Sequence, residues 1–101
     1  MGKIYTDQDR LTFYISTGSD LTEAASVYIN GTDPSGSSIS PQLDTTIEDV
    51  STGLVSYELN SIDGFTFTTA GTWTLWVKVA YIGGDISYGE PFHLNIYAPG
   101  T

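Results

Sequence analysis

The chain has 101 residues, 12 acidic and 3 basic side chains, a formal net charge of −9 and no cysteine. That length holds one core and not two. The scattered Lys3, Arg10 and Lys78 exclude phosphate-driven nucleic-acid binding and disfavour adsorption on anionic membranes, while the lack of cysteine removes disulfides and thiolate metal sites.

In chain order, Lys3-Ile4-Tyr5-Thr6 reads as a short edge strand. Leu11–Ser16 alternates, with Leu11, Phe13 and Ile15 inward and Tyr14 outward. Asp20 is placed to cap one helical turn over Leu21–Ala25. Ser26–Asn30 is a strand with Val27 and Ile29 inward and Tyr28 outward. Asn30-Gly31 then suits a hairpin turn, opening a loop that runs to Ser40. Ile39–Glu48 is weakly patterned, and Pro41 makes it an edge strand. Leu54–Leu59 is a strand with Val55, Tyr57 and Leu59 inward, and Asn60–Phe67 crosses to the next element. The longest alternation follows, Ala70–Ile82, with Trp73, Leu75, Val77, Val79 and Tyr81 on one side and Trp76 and Lys78 on the other. Gly83–Gly89 reads as a loop. Pro91–Tyr97 alternates again, with Leu94 and Ile96 inward and His93 and Tyr97 outward. About seven short strands with a turn signal every 8–12 residues predict a single β-sandwich domain over residues 1–101. Ala70-Gly71-Thr72-Trp73-Thr74-Leu75 is similar to the corner before the sixth strand of immunoglobulin-like domains, with Trp73 in the place of the corner tyrosine.

The chemistry-bearing residues are sparse. His93 is the single histidine and sits mid-strand without a nucleophile motif. Asp7-Gln8-Asp9 and Glu48-Asp49 lack the spacing of a calcium loop. No catalytic residue, metal or cofactor is therefore expected. The informative anomaly is aromatic: Tyr28, Trp76 and Tyr97, with His93, fall on outward faces of strands that share one sheet in an immunoglobulin-like sandwich. Several such residues together either form a contact surface or pair across strands and only stabilise the sheet; these four are the candidate interface.

Lys3–Leu11, Thr17–Thr22, Ser51–Tyr57, Ala70–Val77 and Gly89-Glu90-Pro91-Phe92 resemble small proteins of tailed phages. Those proteins are similar to the amino-terminal domain of phage baseplate upper proteins and to immunoglobulin-like capsid decoration domains. The resemblance implies an antiparallel immunoglobulin-like β-sandwich and a non-enzymatic virion structural protein, for head decoration or for docking in tail or baseplate. It further implies assembly in the cytoplasm of the host bacterium, with other virion proteins or further copies of the chain as partners, and no membrane insertion. Met1-Gly2-Lys3-Ile4-Tyr5 carries no export signal, which agrees with that setting. The alternative is a carbohydrate- or host-surface-binding module in which the exposed Tyr and Trp stack on sugars.

Overall fold

The structure is a computed structural model that describes residues 3–39, 42–60 and 64–101. Its strands are β1 (Ile4–Tyr5), β2 (Thr12–Ser16), β3 (Ala24–Thr32), β4 (Leu43–Asp44), β5 (Thr46–Asp49), β6 (Leu54–Glu58), β7 (Gly71–Tyr81), β8 (Ile86–Tyr88) and β9 (Phe92–Tyr97). Among the described residues there is no helix, so none is long and apolar enough to cross a membrane.

Strand β7 is the spine. It pairs antiparallel with β3 on one side. On the other it pairs with β9 along its first half and with β8 along its second. The larger sheet runs β1-β9-β7-β3-β4, with β8 continuing the β9 side, and the smaller runs β2-β6-β5. The alternation that marks β7 in the sequence is what it uses: Trp73, Leu75, Val77 and Val79 are buried, while Thr74, Trp76, Lys78 and Ala80 lie half-buried on the opposite face.

The two sheets turn their apolar faces to each other, and the interior has two lobes. One joins Phe13 and Tyr57 of the smaller sheet to Ile29, Trp73, Leu75 and Ile96 of the larger, with Leu43, Leu59 and Phe67. The other gathers Leu21, Val27, Val55, Val77 and Val79. Half-buried Ile15 packs against both. In the first lobe Trp73 meets Phe65 and Phe67 edge-on, with ring centroids 6.3 and 5.0 Å away, the geometry that ring quadrupoles favour. Its indole Nε1–H donates to the Thr69 carbonyl at 2.8 Å, so the buried polar atom is satisfied.

Several local expectations are corrected. The fold is not purely antiparallel: β1 pairs parallel with β9, Ile4 beside Ile96 and Tyr5 beside Tyr97. Among the described residues there are nine strands where about seven are expected, because β4 and β5 are separate and Ile86–Tyr88 is a strand inside the expected Gly83–Gly89 loop. The chain changes sheet at Thr45, whose N–H and hydroxyl both donate to the Val27 carbonyl, at 3.1 and 2.8 Å.

Asn30-Gly31 is not a turn. Both residues continue β3, opposite Trp76 and Leu75. Glycine is needed there for close approach, since a Cβ would stand 2.5 Å from both Leu75 Cδ2 and the Thr74 carbonyl oxygen. The turn comes at Asp33–Gly36, where the Asp33 carboxylate accepts from the Ser35 and Ser37 N–H groups, each at 2.9 Å. The expected turn over Leu21–Ala25 is a single hydrogen-bonded turn, Ala24 N–H donating to Leu21 C=O at 3.0 Å, with β3 starting at Ala24. Asp20 accepts from the Thr22 N–H at 2.9 Å, but the Leu21 N–H donates to Val50 C=O at 2.8 Å, and Leu21 drops into the core. The expected Ile39–Glu48 edge strand supplies β4 and β5, both at sheet edges, while its Pro41, the last residue of the Asn30–Ser40 loop and part of the Asn60–Phe67 crossing lie outside the described residues.

Candidate interaction surface

The face of the larger sheet that points away from the core carries the expected interface residues, and the register arranges them in rows. Asp44, Tyr28, Lys78 and Tyr88 stand directly opposite one another across β4, β3, β7 and β8. The next row holds Asn30 and Trp76. The one after holds Thr32, Thr74 and His93, then Thr72 and Asn95. Beyond them Tyr97 is level with Tyr5. Tyr28, Trp76 and His93 thus occupy consecutive rows and neighbour one another diagonally. Tyr97 is set apart, about 13 Å from His93 along β9 at the usual strand rise.

The four residues also differ in exposure. Tyr28 and Trp76 are half-buried, lying against the sheet among Asn30, Thr74 and Lys78. His93 is exposed, and its Nδ1 is 3.1 Å from the Thr74 hydroxyl. A hydroxyl beside an imidazole is the first half of a nucleophile–base pair. Here His93 is open on a strand face beside half-buried Thr74, and among the described residues no carboxylate bonds the other ring nitrogen. Tyr97 is half-buried, with the Lys3 ammonium 4.8 Å from its ring centroid, a cation–π contact at the β1 end of the sheet.

Ile86 and Tyr88, expected in the Gly83–Gly89 loop, join this surface, and Ile82 follows at the end of the expected Ala70–Ile82 strand. Ile82, Ile86 and Tyr88 are 76%, 52% and 62% exposed. Ile86 faces Ala80, and Tyr88 faces Lys78 from the side opposite Tyr28. The hairpin explains them: the Tyr81 N–H donates to Asp85 C=O at 2.9 Å and the Gly84 N–H to Tyr81 C=O at 3.0 Å, folding Ile86–Tyr88 back on β7. A signal was present, since Ile86-Ser87-Tyr88 alternates after a Gly83-Gly84-Asp85 turn. The register thus places Tyr28, Trp76, Tyr88 and Ile86 around Lys78 on one sheet face, with a Thr, Asn and His belt on one side and exposed Ile82 just beyond the end of β7.

Electrostatics outside this face is local. The Asp20, Asp33 and Asp49 carboxyls are held below their ordinary value, first by the hydroxyls of Thr22, Ser35 and Ser51 and then by backbone N–H groups of the same turns. Each Asp closes a turn at the end of a strand or loop. Among the described residues no group of three or more His, Asp or Glu side chains is placed to hold a metal ion. No protein family, no curated protein and no solved structure matches this chain.

Proposed function

We propose that this chain is a non-enzymatic structural protein of a tailed-phage virion, a head-decoration or tail or baseplate docking module, and that the outer face of the larger sheet is its contact surface. The observation that carries the reading is the set of Tyr28, Trp76, Tyr88 and Ile86 on one sheet face, with exposed Ile82 just beyond the end of β7. Tyr and Trp supply large, rigid contact area at small entropic cost and dominate interface hot spots. The hydroxyls of Tyr28 and Tyr88 and the Thr, Asn and His belt offer hydrogen bonds at its rim. A charge of −9 makes like copies repel, so this face meets either a partner with a basic surface or a second copy through apolar contact strong enough to offset repulsion.

The immunoglobulin-like part of the reading has two supports. The order β1-β9-β7-β3-β4 over β2-β6-β5 corresponds to the strand order of a variable-type immunoglobulin sandwich. The Trp73 indole, donating to a carbonyl four residues upstream, does the work of the corner tyrosine hydroxyl in such domains. The virion setting rests on the resemblance of Lys3–Leu11, Thr17–Thr22, Ser51–Tyr57, Ala70–Val77 and Gly89–Phe92 to tailed-phage proteins. Antibodies raised against the purified chain should label intact particles produced by the bacterium that carries the gene, at regular positions on head or tail. Label confined to the unassembled soluble fraction refutes the setting. Binding to a glycan array that is lost in Trp76→Ala refutes the docking role and installs a sugar-binding one.

A further inference from the structure

The outer edge of β2 is a second, separate feature. The Leu59 N–H donates to Leu11 C=O and the Thr17 N–H to Gly53 C=O, each at 2.9 Å. With the unbroken β2–β6 register, residues 11, 13, 15 and 17 direct their backbone groups to β6. Thr12, Tyr14 and Ser16 therefore direct three N–H and three C=O groups outward, and among the described residues no strand pairs with that edge.

Exposed edges are normally blunted by brevity, charge, proline or bulges. The other edges follow that rule. β4 has two residues and carries Asp44. β5 carries Glu48 and Asp49 and has a register shift between Ile47 and Asp49. β2, Thr-Phe-Tyr-Ile-Ser, has five residues and none of these devices, and its Tyr14 is 62% exposed.

Beside this edge lies an open groove of about 600 Å³, lined by Tyr14 and Ile15 of β2, Val77 of β7, and Glu90, Pro91 and Phe92 where β8 gives way to β9. Its lining is more apolar than polar, and its one charged lining side chain is Glu90. An unpaired edge recognises extended backbone, a neighbouring pocket selects a side chain, and the carboxylate with the −9 charge selects a cation.

We propose that the β2 edge takes an extended segment of a partner protein as a fourth strand of the smaller sheet, placing one large apolar side chain in the groove and a Lys or Arg at Glu90. The test pans a display library of random nine-residue peptides on the intact chain. Recovered peptides should alternate apolar residues and carry Lys or Arg. A synthetic copy of a recovered peptide should slow amide hydrogen exchange at Thr12, Tyr14 and Ser16 at least tenfold, and a copy N-methylated on alternate backbone nitrogens should not. Tyr14→Pro removes an outward N–H that β6 does not use, a change an edge strand tolerates, and should weaken binding at least tenfold; Glu90→Gln should weaken it severalfold. The proposal is overturned if no peptide is recovered, if recovered peptides bind Tyr14→Pro unchanged, or if they protect other amides instead. It is equally overturned if the free chain sediments as a dimer with those three amides already protected, since a second copy then owns the edge. Should Tyr14→Pro not fold, the N-methylated peptide decides on the parent chain.

Discussion

Trp73 and Trp76 are three residues apart on one strand and face opposite ways, so they give a direct test of register. Trp73 is 3% exposed, packs edge-on against Phe65 and Phe67, and donates to Thr69. Trp73→Ala should cost about 3–5 kcal/mol. Two ring contacts at about 0.5–1.5 kcal/mol each and a hydrogen bond at about 1 kcal/mol account for much of that loss. A domain this size is stable by about 5–15 kcal/mol, so the variant stands near the threshold of folding. Trp76→Ala removes a half-buried side chain from a solvated face and closes no cavity off from water; it should cost about 1–2 kcal/mol. Each variant keeps one tryptophan, so urea unfolding followed by its fluorescence reads both midpoints, and an unchanged slope confirms a stability effect. Trp73→Phe keeps the ring packing and loses the N–H, and should fall between them. If Trp76→Ala proves as costly as Trp73→Ala, the two faces of β7 are wrongly assigned, since a one-residue slip exchanges them.

Gly31→Ala brings a Cβ to 2.5 Å from the Thr74 carbonyl oxygen, a backbone atom that cannot step aside; it should cost about 1–3 kcal/mol in the same assay, and a neutral result shows that β3 and β7 are not this close. The Asp20, Asp33 and Asp49 carboxyls lie below their ordinary 3.8 in the folded chain. As pH falls the unfolded chain takes up these protons first, so the stability they contribute is full above 3.8 and is lost as pH drops through the lowered folded values. Carboxyl carbon NMR titration should give folded midpoints below 3.8 for all three, and midpoints at or above that value refute the hydroxyl-capped turns.

Much of the architecture is legible in the sequence because five strands bury one face each. Phe13, Val27, Ile29, Val55, Tyr57, Leu59, Trp73, Leu75, Val77, Val79 and Ile96 are inside as their alternation requires. Leu11, Ile15 and Leu94 are only half-buried, Leu11 and Leu94 packed against the first lobe and Ile15 against both. Ile4, Leu21, Leu43 and Phe67 are buried but stand singly in turns or two-residue strands, where no period can develop. The parallel pairing of β1 has no local signature, because a two-residue strand takes its partner from tertiary packing. β8 was hidden for the opposite reason: Ile86 and Tyr88 are apolar and point outward, so the usual inference from apolar to buried fails there. That same failure marks them as part of the surface. Of the four aromatic and imidazole residues expected at an interface, Tyr28, Trp76 and His93 are neighbours, and Tyr97 belongs to the Lys3 end of the sheet.

The most direct test of the docking face is particle incorporation by Trp76→Ala combined with Tyr88→Ala. Tyr88 is 62% exposed, so its loss adds little to the cost at Trp76, and the double variant should unfold within about 2–3 kcal/mol of the parent. Supplied in place of the parent chain during assembly, it should stay soluble and folded yet be missing from sedimented particles, because two residues of the kind that dominate interfaces are gone. Incorporation at the parent level by a folded double variant contradicts the assignment of this face.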